Sequence, residues 1–500
     1  MTTPRSDQTQ CVFFQSHPCP ADSTPAICPN CHRQTISCPK CHTKNRPIAR
    51  FCRACGHAIP SLGLWAMMSG NACRTSTCDA SSLSASSSET PWEYERSTLA
   101  YPPREIRHFS PQPVWTDEVL VVHSHDRHQR QEPHLSLLEP HSGRLFASIP
   151  HAWKNELSFS LTSNGVDLWA RNDHQLLHYS LLRDLSFCSQ TALPPQPAPH
   201  AAPLWFSPSP KDPHIGLLCI LGQHAISCFR RNLSQTTSIP LAWNKKTDLS
   251  EYRSLCASWP YLFANSAKGD FLCVRFSDPD GSYEIIEQGT LPNPSASHNS
   301  LYSAPLYADG SFWIEWITPP HSSSTSSSPL SQEALGSGLI AFSPEHAPRT
   351  YHAQRTLRFE AADLHLSLRY PPLYNALNHR ILLYTGHHPG RNTFFLFQPA
   401  SQQFAPLQTS LDTLYRYKSI SCGHQFWFAK DSHHLCALSL TTGHHHIHSV
   451  THELTQKKIE GTPIIKARRV LIPMQDRYLS ICTPEGSQHT KPSATQNFPS

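Results

Sequence analysis

Residues 304–317 run Ala304-Pro-Leu-Tyr-Ala-Asp-Gly-Ser-Phe-Trp-Ile-Glu-Trp-Ile317, and after an insertion the chain continues with Leu339-Ile-Ala-Phe-Ser-Pro344. The stretch contains a short apolar segment led by proline, an Ala-Asp-Gly turn, an aromatic-rich apolar segment and a third apolar segment. Apolar runs of about four to eight residues bounded by turn residues are typical of buried β-strands. The stretch therefore predicts three consecutive short strands.

The same order of segments returns along the chain from about residue 100 to residue 485. The other units start near Pro113, Leu157, Ala202, Ser254, Tyr370, Ser419 and Gly461. Together with the quoted stretch the starts number eight, and most lie forty-odd residues apart. A period near that length, with three or four strands per unit, is typical of a β-propeller. The sequence predicts an all-β fold with an eight-bladed β-propeller. The alternative is a seven-bladed propeller, if one of the eight units is a loop. A pair of β-sandwiches is the other architecture left open.

The ends and the insertions of this series carry further predictions. The last unit has three strand segments and lacks a fourth, so we predict that residues about 95–110 supply it and close the ring, which removes an open sheet edge. The Ser-rich insertion 321–338 predicts a surface loop. The run His444-His-His-Ile-His448 invites a metal-binding interpretation, but its position after a glycine turn favours a solvated outer strand.

Two segments of the series carry a family resemblance. Leu135-Ser-Leu-Leu-Glu-Pro-His-Ser-Gly143 and Leu435-Cys-Ala-Leu-Ser-Leu-Thr-Thr-Gly443 resemble the strand-and-turn ending of pyrroloquinoline-quinone-type (quinoprotein-type) propeller repeats, and Phe426-Trp-Phe428 resembles the aromatic strand before it. The resemblance spans roughly residues 100–485 and implies the architecture. It does not imply dehydrogenase activity, because members of that family are often non-enzymatic and no quinone-contacting or Ca²⁺-binding constellation is located in this sequence.

Near the amino terminus, Cys38-Pro-Lys-Cys41 is followed after ten residues by Cys52-Arg-Ala-Cys55. Two CxxC pairs, each in a tight turn whose backbone amides point at sulfur, bring four thiolates around one Zn²⁺. We predict a structural zinc site with Cys38, Cys41, Cys52 and Cys55 as its ligands. The segment resembles the bacterial and archaeal zinc-ribbon family, and four of its non-ligand positions also match: Asn45, Ala49, Arg50 and Phe51.

A second pair, Cys28-Pro-Asn-Cys31, predicts two ligands of a second Zn²⁺. Its partners stay open between the upstream cysteines Cys11 and Cys19 and the downstream cysteines Cys73 and Cys78. The upstream choice gives two ribbons in tandem, and we favour such a double zinc ribbon over a single one. The remaining cysteines are single, and we interpret them as buried small apolar residues and not as disulfides: Cys188, Cys219, Cys228, Cys256, Cys273, Cys422, Cys436 and Cys482.

Composition divides the 500 residues into four parts. We predict a zinc ribbon, with the double form favoured, over 11–60, a flexible Ser-rich linker over 61–98, the propeller over 99–485 and a disordered tail over 486–500. Hydrophobic residues make up 38% of the chain and charged residues 15%, which is a globular composition. The polar start Met1–Gln10 and the lack of a long apolar run predict a cytoplasmic protein without membrane insertion.

Charge is concentrated in the cysteine-rich part. Residues 23–78 contain seven basic residues and no acidic one. A Zn²⁺ held by four thiolates carries a net charge of about −2, so much of this basic charge compensates the metal sites. Binding of nucleic acid by the ribbons is therefore the minor interpretation.

No residues are predicted to be catalytic, since the sequence contains no nucleotide-binding glycine loop, nucleophile elbow or HExxH motif. The carboxylates Glu315 and Asp431 are interpreted as solvated turn or edge residues. The sequence predicts a non-enzymatic scaffold in which a zinc ribbon positions a propeller that binds a protein partner. The alternatives are an enzyme or carbohydrate-binding module that uses the propeller channel, and a nucleic-acid-associated zinc-ribbon protein.

Overall fold

A computed structural model gives the fold of the chain. It describes residues 8–10, 18–20, 35–46, 49, 51–57, 92–94, 107–109, 113–116, 119–126, 134–139, 145–150, 160–171, 174–193, 203–208, 212, 214–222, 224–241, 253–294, 300–318, 332–333, 336–352, 358–359, 372–375, 379–383, 393–408, 420–422, 425–429, 434–439, 445–449, 464–466, 469–473 and 478–482. Within these ranges the chain is almost entirely β, and its one helical segment is the 3-10 turn Leu181–Arg183. None of the described residues lies in a helix with the length and apolar character of a membrane span.

The amino-terminal strands are short and pair as two hairpins. They are β1 Gln8–Gln10, β2 Pro18–Pro20, β3 Ile36–Ser37 and β4 Lys44–Asn45, with β1 pairing β2 and β3 pairing β4. The next strand is β5 Trp92–Tyr94.

Sheets 1 to 4 follow in chain order. Sheet 1 contains β6 Arg107–Phe109, β7 Val114–Trp115, β8 Leu120–Asp126, β9 His134–Leu138 and β10 Leu145–Pro150. Sheet 2 contains β11 Ser160–Ser163, β12 Asp167–Arg171, β13 Gln175–Ser180 and β14 Ser186–Ala192. Sheet 3 contains β15 Leu204–Phe206, β16 Leu217–Leu221, β17 Ala225–Phe229 and β18 Gln235–Pro240. Sheet 4 contains β19 Arg253–Ser258, β20 Tyr261–Ser266, β21 Asp270–Phe276 and β22 Tyr283–Thr290.

Sheets 5 to 8 complete the series. Sheet 5 contains β23 Leu301–Tyr302, β24 Leu306–Ala308, β25 Ser311–Thr318, β27 Gly336–Ser343 and β28 His346–His352, while β26 Gln332–Glu333 pairs with β29 Arg358–Phe359. Sheet 6 contains β30 Leu373–Asn375, β31 Arg380–Leu383, β32 Thr393–Gln398 and β33 Gln403–Gln408. Sheet 7 contains β34 Ile420–Cys422, β35 Gln425–Ala429, β36 His434–Ser439 and β37 His445–Ser449. Sheet 8 contains β38 Ile464–Lys466, β39 Arg469–Pro473, β40 Tyr478–Cys482 and β5.

The quoted stretch folds as its turn chemistry requires. Ala308 pairs with Ser311, so Asp309 and Gly310 form a two-residue hairpin loop, and their φ angles are +49° and +77°. A type I′ turn needs positive φ at both central residues, which explains the Asp-Gly pair. Proline precedes the first strand of several sheets because a residue without an N–H suits the position just before a ladder begins.

The sheets pack on one another as propeller blades do. One strand near the start of each sheet contacts the equivalent strand of the next sheet, in the order β7, β11, β15, β19, β24, β30, β34 and β38. Apolar clusters fill the spaces between consecutive sheets, as between sheets 3 and 4 and between sheets 4 and 5. In a β-propeller, antiparallel sheets are arranged around a centre where their inner strands are neighbours, and consecutive sheets pack face to face. The all-β propeller prediction is therefore confirmed, whereas the number of blades in a closed ring stays a prediction.

The missing strand of the last unit comes from the amino-terminal side, though not from the predicted residues. Trp92–Tyr94 pairs antiparallel with Tyr478–Ser480 and makes the fourth strand of sheet 8. Of the predicted range 95–110, Arg107–Phe109 instead pairs with β8 in sheet 1. A strand of three residues is enough to cover the outer edge of sheet 8, and it lies inside the range 61–98 that was predicted to be linker.

Two positions of sheet 5 differ from expectation. Gly338 was assigned to a surface loop, but it lies in β27 against Trp316, where a Cβ atom would stand 2.7 Å from the indole Nε1 and 1.8 Å from the carbonyl oxygen of Tyr351. Glu315 was interpreted as a solvated residue, yet it is buried within β25. Both residues lie in inner strands of sheet 5, because β25 lies between β24 and β27 and β27 lies between β25 and β28.

Most of the other predictions for this region are confirmed, and the prediction for Cys188 is wrong. His445–Ser449 forms the outermost strand of sheet 7, which agrees with the outer strand predicted for the histidine run. Four of the single cysteines are buried and form no disulfide, as predicted: Cys219, Cys228, Cys256 and Cys273. Cys188 is also free but exposed, since it lies on the outer strand of sheet 2. Asp431 and the tail 486–500 lie outside the described residues.

Candidate metal centre

The cysteines of the ribbon lie in two turns with the same hydrogen bonds. In the first turn the N–H of Cys38 donates to the carbonyl oxygen of Thr43 at 3.0 Å, and that of His42 donates to the carbonyl oxygen of Cys38 at 2.9 Å. In the second turn the N–H of Cys52 donates to the carbonyl oxygen of His57 at 2.8 Å, and that of Gly56 donates to the carbonyl oxygen of Cys52 at 2.9 Å. The two CxxC motifs therefore fold as copies of one turn.

In each turn a backbone amide also points at sulfur. The N–H of Lys40 lies 3.4 Å from the Sγ of Cys38, and the N–H of Ala54 lies 3.4 Å from the Sγ of Cys52. Hydrogen bonds of this kind stabilise the charged form of the acceptor. Each turn thus directs a backbone amide at its buried sulfur.

The four sulfur atoms lie together. All are within 4.8 Å of one another, with Cys38 to Cys55 at 3.6 Å and Cys41 to Cys52 at 3.5 Å. A tetrahedron of thiolates at the Zn–S distance of about 2.3 Å has edges of about 3.8 Å. The sulfur positions fit one Zn²⁺, and a shell of four protein thiolates leaves no position open for substrate, which is the arrangement of a structural site.

The buried amide of Asn45 joins the two turns. Its Nδ2 donates to the carbonyl oxygen of Thr43 at 2.6 Å and lies 3.6 Å from the Sγ of Cys52, while its Oδ1 accepts from the N–H of Arg53 at 2.9 Å. Groups that hold and orient metal ligands in this way contribute to metal affinity. This explains why the family pattern has asparagine at a position that supplies no ligand.

The thiols differ in acidity before any metal is bound. Burial acts to raise the pKa of Cys52, but hydrogen bonds from the backbone amides of Cys55 and Ala54 and from the side chains of Cys41 and Asn45 outweigh it and lower the pKa to about 6. The backbone hydrogen bond from His57 acts to lower the pKa of Cys55, but the nearby sulfurs raise it to about 12. Zn²⁺ holds all four residues as thiolates, so its binding releases the remaining protons.

The surface of the ribbon combines an aromatic ring with basic side chains. Phe51, which directly precedes a ligand, is 57% exposed, although most large apolar side chains of the described chain are buried. Lys40 and Arg53 are exposed as well. The ribbon therefore presents an apolar ring and positive charge to solvent.

A second polar cluster joins sheets 2 and 3. The carboxylate of Asp167 is fully buried; it accepts from Arg231 through both Nε and Nη2 and lies 2.9 Å from Nε2 of His178. Asn164 donates to the same carboxylate at 3.2 Å. Burial acts to raise the pKa of Asp167, but these hydrogen bonds and the charge of Arg231 outweigh it and hold the pKa below its ordinary value.

The cluster has the residue types of a Ser-His-Asp triad, because Oγ of Ser189 lies 3.4 Å from Nδ1 of His178. The hydroxyl of Ser189 also donates to the carbonyl oxygen of Asn232 across the sheet boundary at 3.3 Å, and the carboxylate of Asp167 is bound by Arg231. The indole of Trp169 stacks on His178 and donates to the carbonyl oxygen of Arg231 at 3.3 Å. These hydrogen bonds connect sheet 3 to sheet 2, so the cluster stabilises the packing of the two sheets.

Of the six predicted metal ligands, the structure brings together Cys38, Cys41, Cys52 and Cys55. Cys28 and Cys31 lie outside the described residues, as does the side chain of Cys19, so the second zinc site stays a prediction. Sequence reasoning missed Asp167 and Arg231, which are 64 residues apart. The available signal was an acidic residue inside the otherwise apolar segment Val166-Asp-Leu-Trp169.

Comparison with known proteins supports the metal centre. A family model described as a zinc-ribbon domain matches residues 37–59. These residues contain all four clustered cysteines, so the chain contains a zinc ribbon with a site for one Zn²⁺. No curated protein matches the chain.

Several solved structures are similar to this chain at low identity. A quinohemoprotein alcohol dehydrogenase, ADHIIG, from Pseudomonas putida HK5 has 9% identity and a TM-score of 0.47, with 88% of this chain and 83% of that one covered. Sqt1 from Saccharomyces cerevisiae has 9% identity and a TM-score of 0.46, covering 79% and 99%. BamB from Moraxella catarrhalis has 10% identity and a TM-score of 0.33, covering 72% and 80%. At such values these likenesses indicate neither an activity nor a cofactor for this chain.

Proposed function

We propose that this chain is a non-enzymatic interaction protein, in which a zinc-stabilised ribbon and a β-propeller together bind a protein partner. The observation that carries the proposal is a pair of exposed aromatic rings, one on each unit. Phe51 of the ribbon and Phe187 of the propeller are each 57% exposed. Exposed aromatic side chains are enriched among the residues that dominate protein–protein binding energy.

Phe187 lies on β14, the outermost strand of sheet 2, and its ring makes a T-shaped contact with that of Tyr179 at a centroid distance of 6.0 Å. An outer strand presents backbone groups and alternate side chains to solvent, which suits recognition by another chain. The closed thiolate shell of the ribbon supports the same role, because such a metal site stabilises a surface and leaves no position for chemistry.

The proposal is tested by affinity capture from the native host with the tagged full-length chain. Phe51→Ser and Phe187→Ser are compared with Ile215→Ser, which changes an aliphatic residue that is 43% exposed. We expect one protein that is enriched by the wild type and by Ile215→Ser, and reduced more than about tenfold by at least one phenylalanine variant. Equal capture by all four proteins, or capture of nothing, would count against the proposal.

Binding of nucleic acid is the second candidate, and the exposed basic residues Lys40 and Arg53 favour it. The distinguishing measurement is the salt dependence of binding of the full chain to a mixed-sequence oligonucleotide, since each phosphate contact steepens the loss of affinity with salt. Binding that disappears in Lys40→Ala/Arg53→Ala but persists in Phe51→Ser would favour this candidate over a protein partner.

A truncated chain used to separate the two units must start before Trp92. Removal of Trp92–Tyr94 takes the fourth strand from sheet 8 and leaves the outer edge of β40 unpaired. A start at Thr90 keeps that strand, so a loss of partner binding then reports on the ribbon and not on damage to the propeller.

A further inference from the structure

Two thiols face each other inside sheet 3. Cys219 on β16 and Cys228 on β17 are direct cross-strand partners, and their sulfur atoms are 3.4 Å apart. Both residues are fully buried in the apolar cluster between sheets 3 and 4. Neither belongs to the metal centre or to the exposed phenylalanines, and the proposed partner binding gives them no role.

The backbone geometry at this pair suits a covalent link. Cα atoms of direct antiparallel partners lie about 4.5–5.5 Å apart, which is inside the range of about 4.4–6.8 Å found for disulfides. The sulfur atoms, 3.4 Å apart, need to approach by about 1.4 Å to reach the bond length of about 2.05 Å. Side-chain rotation alone supplies a movement of that size, so the strands can keep their register.

A second pair of buried thiols provides an internal comparison. Cys256 on β19 and Cys273 on β21 lie in sheet 4, and each is the cross-strand partner of Phe263 on the strand between them. Strands separated by one neighbour are about 9–10 Å apart, beyond the limit of about 7 Å between the Cα atoms of a disulfide. Burial is thus common to both pairs, whereas disulfide geometry belongs to Cys219 and Cys228.

We propose that Cys219 and Cys228 form a redox pair, which a peroxide oxidises to a cross-strand disulfide within sheet 3. One cysteine loses its proton, and its thiolate attacks the peroxide. The O–O bond breaks and gives a sulfenic acid and hydroxide, which takes up the released proton and leaves as water. The second thiol displaces hydroxide from that sulfenic sulfur and forms the S–S bond, with a second water as product. The two sulfurs lose two electrons in total and the peroxide gains them.

Peroxide is the oxidant class that fits the site, because a bulkier disulfide reagent would leave an adduct in a filled core. Burial raises the pKa of Cys219 well above its ordinary value, and the nearby Cys228 acts in the same direction. The attacking thiolate is therefore rare in the closed sheet, and local opening sets the rate of oxidation. The exposed Cys188 reports how fast peroxide reaches an open thiol.

The test uses the zinc-loaded full-length chain with hydrogen peroxide. Remaining thiols are alkylated in denaturant and the chain is digested with trypsin. Both cysteines fall in one tryptic peptide, 212–230, so the disulfide appears as a peptide that is lighter by two hydrogen atoms and carries no alkyl group. We expect this species to accumulate more slowly than oxidation of Cys188, and dithiothreitol to restore both thiols.

Two variants complete the design. Cys273→Ala, which removes a buried thiol without disulfide geometry, should leave the cross-link unchanged, and Cys228→Ala should abolish it. Should Cys228→Ala fail to fold, the comparison of peptide 212–230 with the peptides of Cys256 and Cys273 in the wild type is sufficient. The proposal is overturned if Cys188 is fully oxidised while peptide 212–230 keeps both thiols, or gains oxygen without losing its two hydrogens.

Discussion

The zinc ribbon and the paired sheets 3 and 4 are stabilised in opposite ways. Among the described residues of the ribbon, the apolar cluster consists of two buried cysteines, Cys38 and Cys52, with Ile36 and Ala49 packed against them. Sheets 3 and 4 share a cluster of sixteen buried residues, to which Trp259 and Tyr283 add their rings. A region with so little apolar surface to bury cannot offset the conformational entropy of its chain, so the metal must supply the difference.

Polar groups also have different roles in the two regions. In the ribbon, hydrogen bonds to Cys38 and Cys52 prepare a metal site, and Asn45 links the two turns. In the propeller, the buried cluster around Asp167 joins sheets that already share apolar cores. Loss of the metal should therefore abolish the first structure, whereas loss of the ion pair should only weaken the second.

The largest effect should come from removing the metal. With Cys38→Ser, or with a strong chelator, we expect the chain to lose one zinc ion and residues 35–57 to lose protection against amide hydrogen exchange, while sheets 1 to 8 keep theirs. Zinc binding to small ribbon-like domains supplies about 10–16 kcal/mol, far more than the apolar contacts of this ribbon. Elemental analysis and hydrogen exchange measure the two outcomes.

Cys188→Ser is the matched control, because it changes an exposed cysteine outside the metal site and should keep the zinc content unchanged. A preparation of the wild type that contains no zinc under reducing conditions would contradict the assignment of the metal centre. Unfolding of the propeller together with the ribbon would contradict the contrast between the two regions.

The next largest effect, on the free energy of unfolding, should come from adding a methyl group at Gly338, where sheet 5 has no space for it. In Gly338→Ala the new Cβ would lie 1.8 Å from the carbonyl oxygen of Tyr351 and within 3 Å of Trp316, so backbone must move. We expect a loss of at least about 3 kcal/mol of unfolding free energy, measured by urea denaturation, with zinc content unchanged. Gly289→Ala, whose Cβ would meet Phe271 at an ordinary 3.7 Å, should change stability by less than about 0.5 kcal/mol. Equal losses in both variants would show that the close contacts at Gly338 do not set the loss of unfolding free energy.

Local chemistry explains what could be predicted from the sequence. The CxxC spacing fixes which residues bind zinc, because the turn and its ligands are adjacent in the chain. The Asp309-Gly310 turn and the apolar segments beside it likewise specify a hairpin without help from distant residues. The repeat of such segments was therefore enough to predict a propeller.

Contacts between distant segments explain what could not be predicted. The environment of Gly338 depends on Trp316 across an insertion, and the role of Asp167 depends on Arg231 in the next sheet. The pairing of Trp92–Tyr94 with β40 joins positions that are far apart in the chain, as with Tyr94 and Tyr478. Hydrophobic periodicity reports which face of a strand is buried and carries no information on which distant residue it meets.

The buried ion pair gives a smaller effect with a specific pH dependence. We expect Asp167→Asn to lose about 3 kcal/mol at pH 7, because it leaves Arg231 and His178 without their carboxylate. The pKa of Asp167 is lowered in the folded chain, so its contribution is complete above the unfolded value of about 3.9 and is lost as the pH falls from there through the folded pKa. Urea denaturation at several pH values should show the wild-type advantage shrinking in that acidic range.

Asp280→Asn is the control for that experiment. Asp280 pairs with Arg230, the neighbour of Arg231 in the chain, but both partners are more than half exposed. Exposed pairs contribute less than about 1 kcal/mol, so this variant should remain close to the wild type at every pH. An Asp167→Asn protein that matches it would mean that the ion pair adds no stability to the other contacts between sheets 2 and 3.

The smallest effect tests whether the ribbon depends on more than its ligands. Asn45→Ala keeps all four cysteines but removes the amide that joins Thr43, Cys52 and Arg53. We expect zinc affinity, measured by competition with a chelator of known affinity, to fall about 10- to 100-fold, or about 1.4–2.7 kcal/mol, while the bound stoichiometry stays the same. Asn45→Asp separates geometry from charge, because it keeps the acceptor for Arg53 and adds negative charge beside the thiolates. An unchanged affinity in both variants would show that the two cysteine turns are rigid on their own, and the ribbon would then depend on the metal alone.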